Sequence, residues 1–165
     1  MDLPINAEQI ELPDSKLKIE ARKMQNFAAA IGSKDAVFYD DTTSRGIINH
    51  PCFPMVTTWP LFEKYLPLLQ KQGLSGKAVA SMVHYSEKIH LYSRIRPNKR
   101  LRFSSSIIGM ECHPKGTKMH FHIQGLGRKQ KLIFDEYTTI LFRGIKNPSP
   151  QNPMEKRRFN SWNNS

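Results

Sequence analysis

Cysteine is almost absent: the 165 residues hold two, Cys52 and Cys112. They stand far apart, with no CxxC or Cys/His spacing around them, so the sequence supports neither a disulfide framework nor a zinc site and reads as two reduced thiols. Long apolar runs are missing too, since none approaches the ~18 residues that cross a bilayer as a helix. The opening stretch MDLPINAEQIELPDSK is polar and acidic where a secretory leader would be basic and then apolar. A cytoplasmic protein that makes no use of membranes is the expectation. The third scarcity is local: residues 77–131 carry two acidic side chains against 12 lysines and arginines, whereas residues 1–76 carry nine against eight. Nearly all of the net charge of +11 therefore lies in one segment. A field of that kind attracts phosphate, whether of nucleic acid, of a nucleotide-bearing carrier or of an acidic carrier protein; a plain solvated basic face is the alternative.

What is present suffices for one core. A hydrophobic content of 39% in a chain of this size builds one domain, expected over residues 1–145, and is too little for two. The last segment, KNPSPQNPMEKRRFNSWNNS, is rich in Pro, Asn and Ser and reads as a basic, disordered tail over 146–165. Leu17, Ile19, Met24, Phe27, Ala28 and Ile31 recur at helical spacing and predict a helix over 16–31, stopped by Gly32. MVTTWPLFEKYLPLLQKQGL is apolar nearly all round and predicts a buried helix over 54–70, which Pro60 and Pro67 should kink or shorten. From Gly76 onward four segments alternate or are rich in β-branched and aromatic residues, separated by RPNK, HPKG and GRKQ as turns. The order predicts an α+β fold in which a four-stranded antiparallel meander wraps one buried helix.

The ordered series RKMQNFAAAIGSKDAVFYDD, GIINHPCFPMV, MVHYSEKIHLYSRIRPNKRLRFSSSI and TKMHFHIQGLGRKQKLIFDEYTTILFRG resembles the N-terminal half of MaoC-like (R)-specific enoyl hydratases and dehydratases, over about residues 17–145. The resemblance implies a single hot-dog fold, with the sheet wrapped about the helix at 54–70. It also implies chemistry: water adds across the double bond of a 2-enoyl thioester, or leaves in reverse, with the acyl chain carried on coenzyme A or acyl carrier protein and no further cofactor. In catalytic members an aspartate and a histidine on one loop, roughly Gly-Asp-x-Asn-Pro-x-His, move the proton, and a backbone N–H polarises the thioester. The matching stretch here runs from Gly32 to Phe38, with Ser33 at the aspartate position and Phe38 at the histidine position. Serine is no carboxylate base near neutral pH, and phenylalanine transfers no proton. The resemblance therefore implies a non-catalytic, substrate-binding half. Because one hot dog fills the chain, its catalytic hot-dog partner is expected on a separate subunit; a homodimer would lack the usual acid/base pair.

The residue readings beside this are specific. Phe53, Pro54, Met55 and His84 are the expected pocket contacts, though large apolar residues such as Phe53, Trp59 and Phe62 on a central helix also serve as plain core. Arg94, Arg96, Lys99 and Arg100, around RIRPNKR, are the expected phosphate contacts. No catalytic residue is assigned. A displaced dyad drawn from Asp35, Asp40, Asp41 and His50 would make the chain a self-sufficient hydratase or thioesterase, but those aspartates also read as turn and cap residues. His84 has no identifiable carboxylate partner in sequence and reads as structural or tunnel-lining. His120 and His122 share one strand face without a third metal ligand and are expected at solvent or an interface, so no metal site is assigned. A nucleic-acid module rests only on the basic segment and on Tyr85, Tyr92, Phe103 and Phe121 interleaved with charge; no recognised nucleic-acid motif accompanies them.

Overall fold

The computed structural model describes residues 10–42 and 46–146. Most of the expected tail thus lies outside the described residues. Strand β1 (Ser15–Lys18) leads into helix α1 (Ala21–Ala30), the long helix α2 (Pro54–Lys71), the short helix α3 (Gly76–Ala80) and strands β2 (Met82–Leu91), β3 (Arg100–His113), β4 (Gly116–Leu126) and β5 (Leu132–Arg143). All pairings are antiparallel, in the order β1-β3-β4-β5-β2. The α+β fold class expected from the sequence is the one observed, with the sheet's inner face packed on α2.

Three expectations need correction. Residues 15–18 form a fifth strand: Ser15, Leu17 and Ile19 face inward while Lys16 and Lys18 face out, a period of two that the helical reading from 16 overrode. Residues 76–80 are helical, because the Ser75 hydroxyl accepts the Ala78 N–H at 3.1 Å and caps the turn. The strands are no simple meander, since β2 crosses over to pair with β5 and only β3, β4 and β5 follow one another. RPNK accordingly belongs to this crossover and is not a hairpin, whereas HPKG closes the β3–β4 hairpin. Gly32, at φ +74, does stop α1: its N–H and that of Ser33 bond back to Ala29 and Ala28. Pro60 and Pro67 do not shorten α2; both lie on its exposed side, where a carbonyl left without a donor can turn to water.

The core forms where α2 lies across the sheet. Leu61, Phe62, Tyr65 and Leu69 of the helix meet Phe103, Met119, Phe121, Ile123, Phe134 and Phe142 of the strands. Phe62 sits edge-on to Phe121, and the Tyr65 hydroxyl donates to Ser105 Oγ at 2.7 Å, so its polar end is satisfied against β3. Lys64 reaches Ser15 Oγ of β1 at 2.8 Å. At 3.6 residues per turn, Trp59 lies about 140° round the helix from Lys64. Trp59, 61% exposed, and Met55 one turn before it therefore lie away from the flank that Lys64 turns toward β1.

Candidate acid/base cluster and loop

The segment after α1 holds the positions where an acid/base pair was sought. Ser33 is fixed as the helix ends, and its carbonyl accepts the Tyr39 hydroxyl at 2.6 Å. The Asp35 carboxylate accepts the Val37 N–H at 3.1 Å and caps a 3-10 turn over Ala36–Phe38. Asp40 accepts both the N–H and the hydroxyl of Thr42, and these bonds hold its carboxyl below the usual range. Phe38 packs its ring against His50, which also meets Phe27. His50 Nδ1 accepts the Cys52 N–H at 3.2 Å, and no ion pair joins His50 to Asp35, Asp40 or Asp41 among the described residues. Asp35 and Asp40 thus do turn and cap chemistry here.

A second group joins α2, β5 and β2, and sequence reading missed most of it. Strand pairing sets Glu87 opposite Thr138, on the same inner face as Glu136 of β5. Thr58 of α2 reaches down and donates its hydroxyl to Glu136 Oε1 at 2.6 Å. The Thr138 hydroxyl lies 2.9 and 3.1 Å from the Glu87 oxygens and 3.4 Å from Glu136 Oε1. His84 Nε2 lies 3.0 Å from Glu87 Oε2. Two hydroxyl protons and one imidazole N–H cannot satisfy four carboxylate oxygens. Glu136, 1% exposed, has an Oε2 with no donor among the described residues, and the Thr138 hydroxyl stands between its carboxyl and that of Glu87. Burial pushes Glu87 up to about 7, and burial together with the neighbouring Glu87 pushes Glu136 up to about 8.

The remaining expected residues fall in several places. Phe53 and Pro54 are buried in the core at the start of α2; Met55 is half-buried on that helix, and His84 is exposed on β2. Arg94, Arg96 and Lys99 are exposed on the connection between β2 and β3, and Arg100, also exposed, is the first residue of β3. The buried Ile95 between the first two donates its N–H to Asn49 Oδ1 at 2.8 Å, tying this basic loop to the residues just before α2. His120 and His122 are on the outer sheet face, but neither stands free: His120 Nδ1 lies 2.9 Å from Thr139 Oγ1, and His122 Nε2 lies 2.7 Å from Asp135 and its ring stacks on Tyr137.

Among solved structures, a MaoC-like dehydratase from Phytophthora Capsici aligns with a TM-score of 0.68 over 90% of this chain and 54% of its own, at 16% identity. The C-terminally truncated HadBC (3R-hydroxyacyl-ACP dehydratase) complex from Mycobacterium tuberculosis aligns at 0.61 over 77% of this chain and 90% of that one, at 10% identity. The ChsH1-ChsH2 complex from the same organism aligns at 0.59 over 85% of each, at 14% identity. The fold is the hot dog that these structures share. The chain spans about half the length of the Phytophthora protein. No family model matches the sequence, and no curated protein matches it.

Within this hot dog the acids at 87 and 136 carried a faint signal. Glu87 is one of the two acids in the basic segment, and Glu136 falls at an inward position of KLIFDEYTTILFRG, between Phe134 and Thr138. An acid in the apolar phase of a strand is rare unless paired. The pairing partners lie 78 residues away at Thr58 and 49 away at Glu87, so only the fold reveals them.

Proposed function

We propose that the chain is the substrate-binding hot-dog subunit of a heteromeric hydratase or dehydratase acting on 2-enoyl and 3-hydroxyacyl thioesters of coenzyme A or acyl carrier protein, within cytoplasmic fatty acid metabolism. The observation that carries this reading is the loop Gly32–Phe38. In a fold shared with MaoC-like dehydratases, it presents Ser33 and a Phe38 ring packed on His50, and its one acid, Asp35, is engaged as a cap. A second hot-dog subunit would supply the aspartate and histidine of the usual loop.

Two features support a partner. Strand β2 is hydrogen-bonded to β5 alone among the described residues, so its other margin is an unpaired edge of ten residues. Tyr85 and Leu91 on this strand and Trp59 on α2 are exposed, apolar surface suited to burial against a second subunit. Two of the structures that share the fold are named as complexes of two proteins, HadBC and ChsH1-ChsH2. Met55, with Trp59 next to it on the same flank, would line the acyl chain's path. Arg94 and Arg96, held beside the start of α2, would meet the carrier's phosphate or an acidic helix of acyl carrier protein.

The test is hydration of a 2-enoyl-CoA by the chain mixed with a co-purified hot-dog subunit that bears the Asp/His loop. The mixture should turn over at a rate neither subunit reaches alone, and Trp59→Asp should weaken the association. A stable complex that hydrates no faster than its parts would contradict the reading.

A further inference from the structure

One end of the sheet gathers cations from two strands and a turn. Lys18 of β1 is paired with Arg100 of β3, and the Ile19 N–H donates to Lys99 O at 2.8 Å, which sets Lys99 beside them. Next in the sheet order comes the turn between β4 and β5, with Arg128, Lys129 and Lys131, closed by the Gly127 N–H donating to Lys131 O at 2.7 Å. All six side chains are exposed. Lys129 at φ 55 and Gln130 at φ 59 are left-handed without being glycine, a costly conformation that persists where the surrounding structure fixes it. Leu91 of β2 pairs with Phe134, and the Tyr92 N–H donates to Ile133 O at 2.9 Å, so Tyr92 comes to the same end. Its ring is 50% exposed, yet its hydroxyl donates to Asp135 Oδ2 at 3.0 Å and His90 lies against it, ring centroids 5.8 Å apart. A half-open aromatic ring tethered at its far end is a stacking platform already oriented. The nearby acids oppose the field weakly: Asp14 is paired with Arg102, Asp135 is buried and holds Tyr92, His122 and Gln124, and Glu20 is exposed next to Ile19.

We propose that this end of the sheet binds single-stranded nucleic acid, with phosphates on Lys18, Arg100, Arg128, Lys129 and Lys131 and a base stacked on Tyr92. At about 4.8 Å between neighbouring strands, the row from β1 across to β2 is about 19 Å long. That is room for about five or six nucleotides at about 3.4 Å per phosphate. Charge complementarity selects a polyanion, and the ring selects its kind. An acidic helix or a lipid headgroup has no planar base to lay on Tyr92, and a duplex keeps its bases stacked inside, so a single strand alone uses both parts of the surface. The site uses neither Arg94 nor Arg96, so it goes beyond the thioester reading, and either can fail without the other.

The experiment titrates a fluorescein-labelled oligouridylate of about 15 nucleotides with the purified full chain and reads fluorescence anisotropy over a series of KCl concentrations. The wild type should bind in the micromolar range at about 50 mM KCl, and log K should fall against log[KCl] with a slope of about −3.5, five phosphates at about −0.7 each. Arg128→Ala with Lys129→Ala should weaken binding and flatten that slope by about 1.4. Tyr92→Ala should weaken binding about tenfold and leave the slope unchanged, because stacking releases no counterion. Tyr92→Phe keeps the ring and should keep most of the affinity. Absence of binding at about 50 mM KCl, or a Kd that Tyr92→Ala leaves unchanged, would overturn the proposal. Displacement of the oligonucleotide by polyglutamate at equal charge would overturn it too, and would mark this end as a dock for acidic protein. Should Tyr92→Ala fail to fold by circular dichroism, the polyglutamate competition decides alone.

Discussion

Thr58 has one hydroxyl proton and three acceptors in range, Pro54 O, Met55 O and Glu136 Oε1, of which the carboxyl at 2.6 Å is nearest. The isosteric change Thr58→Val removes that donor and leaves a buried carboxyl short of a partner. Urea denaturation should report a loss of about 1–3 kcal/mol. The acid pair also gives stability a pH dependence whose sign follows from the direction of the shifts. Glu87 and Glu136 titrate at about 7 and 8 in the folded chain against 4.5 for a free glutamate. The folded chain therefore binds more protons than the unfolded one in that interval. Their contribution is fully present below pH 4.5 and is lost as pH rises through 7 to 8. The Tm should fall over that window, and Glu136→Gln should flatten the profile; a Tm that rises there would refute the upward shift of the pair. At the loop, Ser33→Asp with Phe38→His restores the usual residues at half-buried positions and keeps a ring against His50. This double variant should fold, with a circular dichroism spectrum like the wild type, and should raise hydration of a 2-enoyl-CoA above the wild-type rate.

Elements were legible in the sequence where one periodicity acted alone. Phe121, Ile123, His120 and His122 alternate cleanly along β4, and the apolar α2 could only be a buried helix. Reading failed at junctions. Ile19 serves both the strand before it and the helix after it, so two periods overlap within six residues, and the pairing of β1 with β3 some 85 residues later settles the choice. Residues 76–80 look like strand from their valine and alanines, but a serine cap is enough to turn them. One packing contact between elements is testable directly. A Cβ on Gly125 of β4 would lie 2.2 Å from the Phe134 ring of β5, and Phe134 is fully buried and cannot yield. Gly125→Ala should cost about 1–3 kcal/mol in chemical denaturation. An unchanged midpoint would show that β4 and β5 part more readily than their register implies.

For the whole molecule, the sheet order β1-β3-β4-β5-β2 explains both what was readable and what was hidden. An antiparallel sheet about one helix follows from patterning. The crossover that puts β2 beside β5 does not, because nothing local records which strand a strand will join. That same crossover brings Glu87 opposite Thr138 and onto the inner face that holds Glu136, and among the described residues it leaves β2 with one unpaired margin. The identities at Ser33 and Phe38, a hydroxyl and an apolar ring, were legible because they depend on residue identity alone; the acid cluster was not, because it depends on contacts between distant segments. The proposed function links catalysis to assembly, with the acid/base pair supplied by the second subunit. The measurement that tests this most directly is the steady-state rate of 2-enoyl-CoA hydration by the chain before and after addition of a hot-dog subunit carrying the Asp/His loop. The account predicts a rise of about a hundredfold or more over the sum of the separate rates. A rate for the isolated chain that already equals that of the mixture would contradict it.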